Sequence, residues 1–480
     1  MAAGEDKATT GLKRQVGLGS AVALNMLNMV GIGPFVTIPL VVAALPGAQS
    51  LLAWVLGAAI AACDGLVWAE LGAMLPLAGG PYAFLREIYG PRSGGRMASF
   101  LYAWQMCFTA PLSVASGCIG LASYAAYLWP RLQGNVAASG WLSGLAWTKP
   151  VAAGTCALVI ILLYRKLLAV TKMAWVLWAG MLATIGTVIG AGLTHFHRNL
   201  NFAHVGTTFS HAATSDFAPH TALWSGLAAA TLITTYDYWG YYNVCFMGGE
   251  IKQPGRNIPR AVLLSIAIIT VLYLLMNVAM LGVMPWQELQ SAAAGSGKLA
   301  VVAVMLQRTL GPAAGRGFAA MVLWTAFASV FALLLAFSRV PYVAALDGNF
   351  FRAFGRLHPK HGFPHVALLG IGGVAVLFCF FDIGHVIAAL VTLRILFQFI
   401  LLQVGVVLLR IKQPHRERPF RIWLYPLPPM AALAGFLFII FERPEWQREV
   451  LYGVALGVVG IIVYLLRAHK LREWPFTAEN

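Results

Sequence analysis

Charged residues are scarce in this chain. Only 10% of the 480 residues are Asp, Glu, Lys or Arg, and 59% are hydrophobic, whereas a soluble globular domain carries about 25% charge. The polar stretches between apolar segments are too short to form a soluble domain. The composition therefore excludes an ordinary soluble protein and indicates a membrane protein.

Cysteine is also rare. The six cysteines all fall inside apolar segments, so the sequence predicts neither a disulfide framework nor a metal site of cysteines. The connection between the third and fourth apolar segments contains no cysteine, and we expect no disulfide-linked accessory chain. The sequence contains no P-loop and no nucleophile paired with a base, which argues against an enzyme. We expect no cofactor and no metal.

Long apolar segments dominate instead. Twelve of them are long enough to cross ~30 Å of hydrocarbon, and they predict an all-α, polytopic membrane protein with twelve transmembrane helices. The segments lie near residues 17–45, 47–75, 97–129, 140–163, 167–194, 221–249, 260–285, 317–338, 364–381, 383–409, 424–441 and 449–466. The first is too long for a signal-peptide core and no cleavage site follows it, so we interpret it as a retained span.

The basic residues predict the orientation. If the amino terminus is inside the cell, 24 of the 33 Lys and Arg residues fall on the cytoplasmic side, eight on the other side and Arg394 within a span. Short loops rich in Lys and Arg stay in the cytoplasm, so both termini are predicted to be cytoplasmic, in a plasma or bacterial inner membrane. A nucleic-acid site would need this charge on one soluble face. We therefore expect the protein to lie in a lipid bilayer and to bind no nucleic acid.

Two apolar segments, five spans apart, are broken near their middles. The first is interrupted at Gly31-Ile32-Gly33-Pro34 and the sixth at Tyr238-Trp239-Gly240-Tyr241. Unpaired backbone groups are costly in lipid, so such breaks persist only where they line a cavity or are covered by protein. A pair of interrupted spans at matching positions in two halves indicates the central binding site of a transporter.

The spacing of the breaks also predicts an internal repeat. Because five is odd, the second set of five spans enters the membrane from the opposite side, which gives a 5+5 inverted repeat with helices 1 and 6 discontinuous. The predicted organisation is an N-terminal cytoplasmic segment (1–16), a transport core (17–409) of two repeats (17–194 and 221–409), two appended helices (410–466) and a cytoplasmic tail (467–480).

The breaks provide the candidate substrate site. A helix that restarts exposes N–H groups with positive dipole character, and a helix that stops exposes C=O groups. We therefore expect the carboxylate of a substrate to bind the N–H groups of the first break. The ammonium group of the substrate would bind the carbonyls at the ends of the half-helices. A packing kink that touches no ligand is the alternative, and the second break disfavours it. The candidate substrate-binding residues are Gly31, Ile32, Gly33, Pro34, Phe35, Tyr238, Trp239, Gly240, Tyr241 and Asn243.

Charged and hydroxyl side chains inside the predicted spans are the candidates for ion coupling. The candidates are Asp237, Asp64, Arg394 and Ser329. Asp237 would either couple protons or meet a substrate ammonium, and Arg394 should face a carboxylate of either the protein or the substrate. Glu70 lies near the cytoplasmic end of its span, and we interpret it as a structural acceptor for loop donors.

Short motifs occur in a definite order along the chain. They are Val30-Gly31-Ile32-Gly33-Pro34-Phe35, Ala69-Glu70-Leu71-Gly72, Gly79-Gly80-Pro81-Tyr82, Gly249-Glu250-Ile251-Lys252 and Arg418-Pro419-Phe420-Arg421. As a set they resemble the amino acid–polyamine–organocation superfamily of permeases. The resemblance implies a leucine-transporter-type fold of twelve helices, with substrate between helices 1, 3, 6, 8 and 10 and transport by alternating access.

Two subgroups of that superfamily share parts of these motifs. Tyr238 and Gly240 resemble the break of the L-type amino acid transporters, whereas Tyr164-Arg165 and Gly33-Pro34-Phe35 resemble the plant-like polyamine permeases. The polyamine group has Trp-Asp where this chain has Tyr241-Tyr242, so one acidic group is missing.

The predicted function is therefore a secondary active transporter of amino acids, coupled to protons or exchanging substrates. The alternative is a polyamine or organic cation permease acting as a proton symporter, which needs at least two carboxylates in its cavity. A transporter-like sensor or a channel is a more distant alternative.

Overall fold

In the computed structural model, the described part of the chain comprises residues 11–476 except 91–92, 136–145, 199, 203–219, 295–300, 382–391 and 443–445. Nearly all regular structure in these ranges is helical, and β-pairing is limited to isolated bridges. The helices are α1 Leu18–Met29, α2 Gly33–Ala44, α3 Ser50–Met74, α4 Pro81–Ile88, α5 Gly94–Leu128, α6 Thr148–Leu163, α7 Leu167–Thr194, α8 His220–Tyr238, α9 Asn243–Phe246, α10 Pro254–Val283, α11 Trp286–Ala294, α12 Val301–Leu310, α13 Pro312–Phe337, α14 Arg339–Leu346, α15 His365–Phe378, α16 Thr392–Lys412, α17 Leu427–Phe441 and α18 Trp446–Leu471.

Seven of the described helices are long and apolar enough to cross a membrane. They are α3, α5, α7, α10, α13, α16 and α18, and the bent pair α1 and α2 passes the same test as one span. Three of the twelve predicted spans fall on shorter apolar helices, α6, α15 and α17. These helices are consistent with a protein that crosses the membrane several times.

The helices divide into an inner and an outer set. In the span formed by α13 and α14, 67% of the most apolar window is buried within the protein, against 22% in α18. Residues of α18 such as Leu451 and Leu466 are more than 60% exposed, as expected of a helix that presents an apolar surface to lipid. The inner helices pack in two groups, with α10 along α3, α1 and α7, and α13 along α5 and α7.

Buried ion pairs hold the end of the bundle at which α1 begins. Arg339 donates two hydrogen bonds of 2.9 Å to the carboxylate of Glu250, and both side chains are 2% exposed. The N–H of Val16 donates to the Glu250 carbonyl at 2.9 Å, and a bridge joins Val16 to Ile251. The segment before α1 is thereby fixed to the segment that follows α9.

Glu70 lies at the same end of the bundle and is fully buried in α3. Its carboxylate accepts hydrogen bonds from the Arg410 Nε at 3.0 Å and from the Ile422 N–H at 2.7 Å, and Arg418 lies 3.4 Å away. The prediction that Glu70 accepts hydrogen bonds from loop donors is confirmed at Ile422, and Arg410 of α16 is an additional donor from a helix.

The first break lies at residues 30–32, between α1 and α2, whose axes differ by 49°. The N–H of Val30 still bonds to the Met26 carbonyl, and this completes α1. Pro34 is the second residue of α2, a position where a missing N–H breaks no hydrogen bond. The chain thus stops one helix and starts another inside a single apolar segment.

The second break lies at residues 239–242, between α8 and the single turn α9. Gly240 has φ +129°, and a Cβ there would lie 2.7 Å from the Met29 nitrogen and 2.8 Å from the Asn28 carbonyl carbon. Only glycine combines this backbone conformation with so close an approach. The second break therefore lies directly against the backbone at the end of α1, beside the first break.

Candidate functional site

A cavity of about 180 Å³ lies between the two breaks, and we refer to it as the central cavity. Seven of the residues predicted to bind substrate or to couple ions line it: Gly31, Ile32, Gly33, Asp237, Trp239, Ser329 and Arg394. They come from the two breaks, from the helix ends beside them, and from α13 and α16, which are far apart in the sequence. The fold brings these seven residues together around one cavity.

The first break presents backbone donors to the central cavity. The N–H of Phe35 bonds to the Ile32 carbonyl at 3.2 Å. The N–H groups of Gly31, Ile32 and Gly33 have no acceptor within the described chain. A Cβ at Gly31 would lie 3.1 Å from the Ser329 hydroxyl oxygen. These free donors at the start of a helix form a site that favours negative charge.

Asp237 is the one carboxylate among the cavity-lining residues. It is 4% exposed, and its Oδ2 accepts a hydrogen bond from the Thr37 hydroxyl in the first turns of α2. Its Oδ1 lies over the backbone of Gly33, at 2.6 Å from the position a Cβ would occupy. The carboxylate therefore lies against the start of α2, at the edge of the first break.

Arg394 is the one guanidinium among the cavity-lining residues. Its Nη2 donates to the Ser113 hydroxyl at 2.7 Å, and its Cζ lies 5.9 Å from the Trp239 ring centroid and 5.7 Å from that of Phe337. No ion pair joins it to a carboxylate in the described chain. A π-helical segment follows at Ile395–Ile400, an irregularity frequent at functional sites.

Polar side chains around the breaks satisfy backbone groups that the breaks leave open. The Asn25 amide donates to the Tyr241 carbonyl at 2.5 Å and accepts from the Val244 N–H at 2.8 Å. The Tyr273 hydroxyl lies 2.9 Å from the Met29 carbonyl and 3.2 Å from the Asp237 carbonyl. The carbonyl ends of both half-helices are thus held by one tyrosine of α10.

The remaining predicted site residues lie outside the cavity lining. Phe35 is fully buried against Phe318, and Tyr238 packs against Trp54 and Tyr273. The Asn243 amide spans the carbonyls of α1 and α13, at 3.4 Å from Leu24 and 3.3 Å from Ala332. The others outside the lining are Pro34, Gly240, Tyr241 and Asp64, the last of which accepts a hydrogen bond from the Tyr241 hydroxyl.

Several lining residues were not predicted. They are Asn28, Met29, Ser113, Ser116, Gly117 and Leu333. Tyr236 and Tyr242 also line the cavity, and they belong to the aromatic residues of the sixth segment, for which the sequence favours a lining role. The three small residues of α5 carry a signal that could have been used, because they are spaced three and four residues apart and so share one face of the helix. Their place in the cavity depends on the packing of α5 against α13, which local sequence does not encode.

Potential metal ligands do not cluster in the part of the chain that the structure describes. The six cysteines are free, and four of them are buried.

These features indicate the class of protein to which the chain belongs. A multi-pass helical bundle with two helix breaks beside a polar cavity is the architecture expected of a membrane permease, and the chain belongs to the amino acid permease family, whose profile matches residues 16–465. The family consists of transport proteins and not enzymes.

Individual relatives match over nearly the whole chain. The chain is 26% identical to the b(0,+)-type amino acid transporter 1 of Mus musculus over 97% of its own length and 90% of the relative's. It is 26% identical to the serine/threonine exchanger SteT of Bacillus subtilis (95% and 97%), and 26% identical to the Asc-type amino acid transporter 1 of Homo sapiens (95% and 82%). These similarities extend the likeness beyond the two breaks to the full chain.

Proposed function

We propose that the protein is a secondary active transporter that moves small amino acids across a cell membrane by alternating access. The observation that carries the proposal is the presence of one carboxylate, Asp237, and one guanidinium, Arg394, in the lining of a cavity that also presents free N–H groups. A zwitterion matches this arrangement, because its ammonium and its carboxylate each meet an opposite charge or dipole. The names of the three relatives given above, each an amino acid transporter or exchanger, support the same substrate class.

The substrate lies across the first break. Its α-carboxylate accepts hydrogen bonds from the N–H groups of Gly31 and Ile32, and its α-ammonium meets Asp237. Charge-assisted hydrogen bonds contribute about 1.5–3 kcal/mol each, so two or three of them give roughly micromolar affinity after the costs of binding. The side chain points toward Arg394 and Trp239, whose indole Nε1 has no partner within the described chain.

The size and polarity of the cavity favour a short, polar side chain. Its volume of about 180 Å³ is below the ~300–1,000 Å³ of pockets that hold drug-sized ligands. The guanidinium of Arg394 and the hydroxyls of Ser113 and Ser329 are donors that suit a side chain with an acceptor oxygen. Serine and threonine meet both conditions, and one relative is named as their exchanger.

The same charges argue against the polyamine alternative. A polyamine carries several ammonium groups and needs several carboxylates, whereas Asp237 is the one carboxylate in the described lining and Arg394 would repel the ligand. A cationic amino acid side chain meets the same repulsion.

The membrane arrangement that accompanies this function has twelve spans and a 5+5 inverted repeat. The repeats are residues 17–194 and 221–409, followed by two appended helices within 410–466, and both termini lie in the cytoplasm. The two broken helices, five spans apart, support the repeat, and the excess of Lys and Arg on one side supports the orientation.

Transport is either coupled to protons or an exchange of substrates. A sodium site beside the first break is less well supported, since the Thr325 hydroxyl bonds to the Met321 carbonyl at 3.0 Å and lies 3.2 Å from the Thr184 hydroxyl. With the Thr325 hydroxyl engaged, Ser329 would be the one hydroxyl of α13 left to bind a sodium ion in the described chain.

Binding and flux measured on the purified protein test this function. A thermal-shift screen against the amino acids and against putrescine and spermidine should show stabilisation by L-serine and L-threonine and none by the polyamines. Uptake of labelled L-serine into proteoliposomes, with and without proton and sodium gradients, then measures transport. Stabilisation by polyamines alone would favour the alternative permease, and binding without flux would favour a sensor.

A further inference from the structure

A second buried carboxylate, Asp64 of α3, lies outside the central cavity. It is fully buried. Its Oδ2 accepts a hydrogen bond from the Tyr241 hydroxyl in the second break, and its Oδ1 accepts one from the Gln403 Nε2 of α16. Three parts of the bundle therefore meet at this one carboxyl group.

No cation balances the charge of Asp64 in the described chain. The two arginines of α16 are engaged elsewhere: Arg410 pairs with Glu70, and Arg394 donates to Ser113. The titratable groups that face Asp64 are Cys63, Tyr241, Tyr242 and Cys245. All four are neutral side chains, so a charged Asp64 would be an unpaired charge inside the membrane.

The neutral form of Asp64 has a place for its proton. The Oε1 of Gln403 is buried and has no hydrogen-bond donor in the described chain. The oxygen and nitrogen of a side-chain amide are interchangeable in position, and a rotated Gln403 amide presents Oε1 to Asp64. A protonated Asp64 then donates to the Gln403 Oε1 and still accepts from the Tyr241 hydroxyl, so the proton has an acceptor and the amide oxygen has a donor.

The cluster of Asp64, Tyr241 and Gln403 is connected to both helix breaks, which move in an alternating-access cycle. The carbonyl of Tyr241 accepts from Asn25 of α1. Trp68, one turn after Asp64, stacks on Tyr242 with ring centroids 4.6 Å apart, and Tyr242 lines the central cavity. A rearrangement of either break thus changes the hydrogen bonds and the burial of Asp64.

We propose that Asp64 is the proton-binding site of the transport cycle: its carboxyl group binds one proton when buried and releases it when the second break and α16 move apart. The step is a reversible transfer of a proton between the carboxyl group and water. The inference rests on the proposed transport function and assigns the coupling to Asp64 and not to Asp237 in the cavity.

Gradient-driven uptake compared with exchange tests the inference. Wild-type protein in proteoliposomes should accumulate labelled L-serine when the lumen is alkaline. Asp64→Asn, which mimics the protonated acid, should lose this accumulation, falling to the level without a gradient, while retaining exchange of internal for external L-serine. Asp347→Asn, which alters a carboxylate paired with Arg86 outside the cavity, is the matched control and should behave as wild type.

A second variant and a second readout cover the case in which Asp64→Asn does not fold. Tyr241→Phe removes a hydrogen bond to the carboxylate, so the pH of half-maximal uptake should rise, whereas a purely structural defect would lower the rate at every pH. Infrared difference spectra across pH should contain a protonated-carboxyl band in wild type that is unchanged in Asp347→Asn and absent in Asp64→Asn.

The outcomes separate this inference from the proposed function. If wild type takes up L-serine but Asp64→Asn keeps full gradient-driven accumulation, or if Asp237→Asn alone removes the gradient effect, Asp64 is not the proton site while transport stands. If the wild-type protein neither transports nor binds an amino acid, the proposed function fails. The infrared band still decides in that case whether Asp64 holds a proton.

Discussion

Asp237 and Arg394 bring opposite charges to one cavity from two different helices. Both are expected from the sequence to be functional, because ionisable residues inside apolar segments are rare. Their joint position is not predictable in this way, since it depends on the packing of α16 beside the second break. The structure leaves Arg394 without a carboxylate partner in the described chain, and this is why we assign it to the substrate.

Arg394→Gln should weaken L-serine uptake by about 10- to 100-fold in KM, because it removes a charged donor worth about 1.5–3 kcal/mol. Competition by spermidine against the remaining uptake should increase, since the repelling charge is gone. Arg308→Gln, which alters an exposed pair with Glu288, is the control. An unchanged KM in Arg394→Gln would show that the guanidinium does not meet the substrate.

Asp237→Asn should reduce the affinity for L-serine by a similar factor, because the amide cannot balance an ammonium charge. Binding is measured by titration of the purified variant in a thermal-shift assay, so that a coupling defect does not obscure it. Asp347→Asn is again the matched control. Wild-type affinity in Asp237→Asn would place the ammonium elsewhere, for example on backbone carbonyls alone.

The two helix breaks are the elements on which the site depends. The first is expected from two glycines and a proline within four residues, and the second from a glycine among aromatic residues. At both positions the structure ends a helix within two residues of the predicted interruption, at Met29 and at Tyr238. The extent of α9, a single turn followed by a 3-10 turn at Gly248–Glu250, is not predictable from an apolar run that suits a longer helix.

Gly33→Leu should abolish uptake while the protein remains folded in the membrane. The position of a Cβ at residue 33 is 2.6 Å from the Asp237 Oδ1, so the added side chain displaces the carboxylate and fills the first break. Gly186→Leu is the control, because Gly186 lies exposed inside α7 and a Cβ there meets nothing within 4 Å.

Membrane expression and size-exclusion profiles should match wild type for both glycine variants, with transport lost only in Gly33→Leu. Normal uptake by Gly33→Leu would count strongly against the first break as part of the site.

The sequence accounts for more of the backbone of this site than of its side chains. Gly31, Gly33 and the second break are found because glycine and proline act locally on φ, ψ and hydrogen bonding. Ser113 and Ser116 are not found, because hydroxyl residues occur throughout apolar helices and only the packing of α5 against α13 selects the ones that reach the cavity. Tyr241 was predicted for the pocket and instead bonds to Asp64.

At the scale of the whole molecule, buried ion pairs close the end of the bundle beneath the breaks. Glu250 and Arg339 connect the segment after α9 to the start of α14, and Glu70 connects α3 to α16 and to the loop before α17. Under the proposed alternating access, these contacts join regions that separate when the transporter opens toward that side. The sequence predicts the role of Glu70, whereas the partner of Glu250 follows only from the fold.

Glu250→Gln should destabilise the protein by about 3–5 kcal/mol, because it leaves Arg339 as an unpaired buried charge. Thermal unfolding followed by size-exclusion chromatography measures the change. Glu288→Gln breaks an exposed pair with Arg308 and should cost about 0–1 kcal/mol. Equal unfolding temperatures for the two variants would mean that the buried pair does not hold this end of the bundle.

A cryo-electron microscopy map of the protein in lipid nanodiscs at saturating L-serine tests the central claim most directly. The account predicts that α1 and α2, and α8 and α9, remain separate helices, with ligand density between the N–H groups of Gly31 and Ile32, the carboxylate of Asp237 and the guanidinium of Arg394. Helices that run continuously through Gly33 and Gly240, with no space between them, would contradict it.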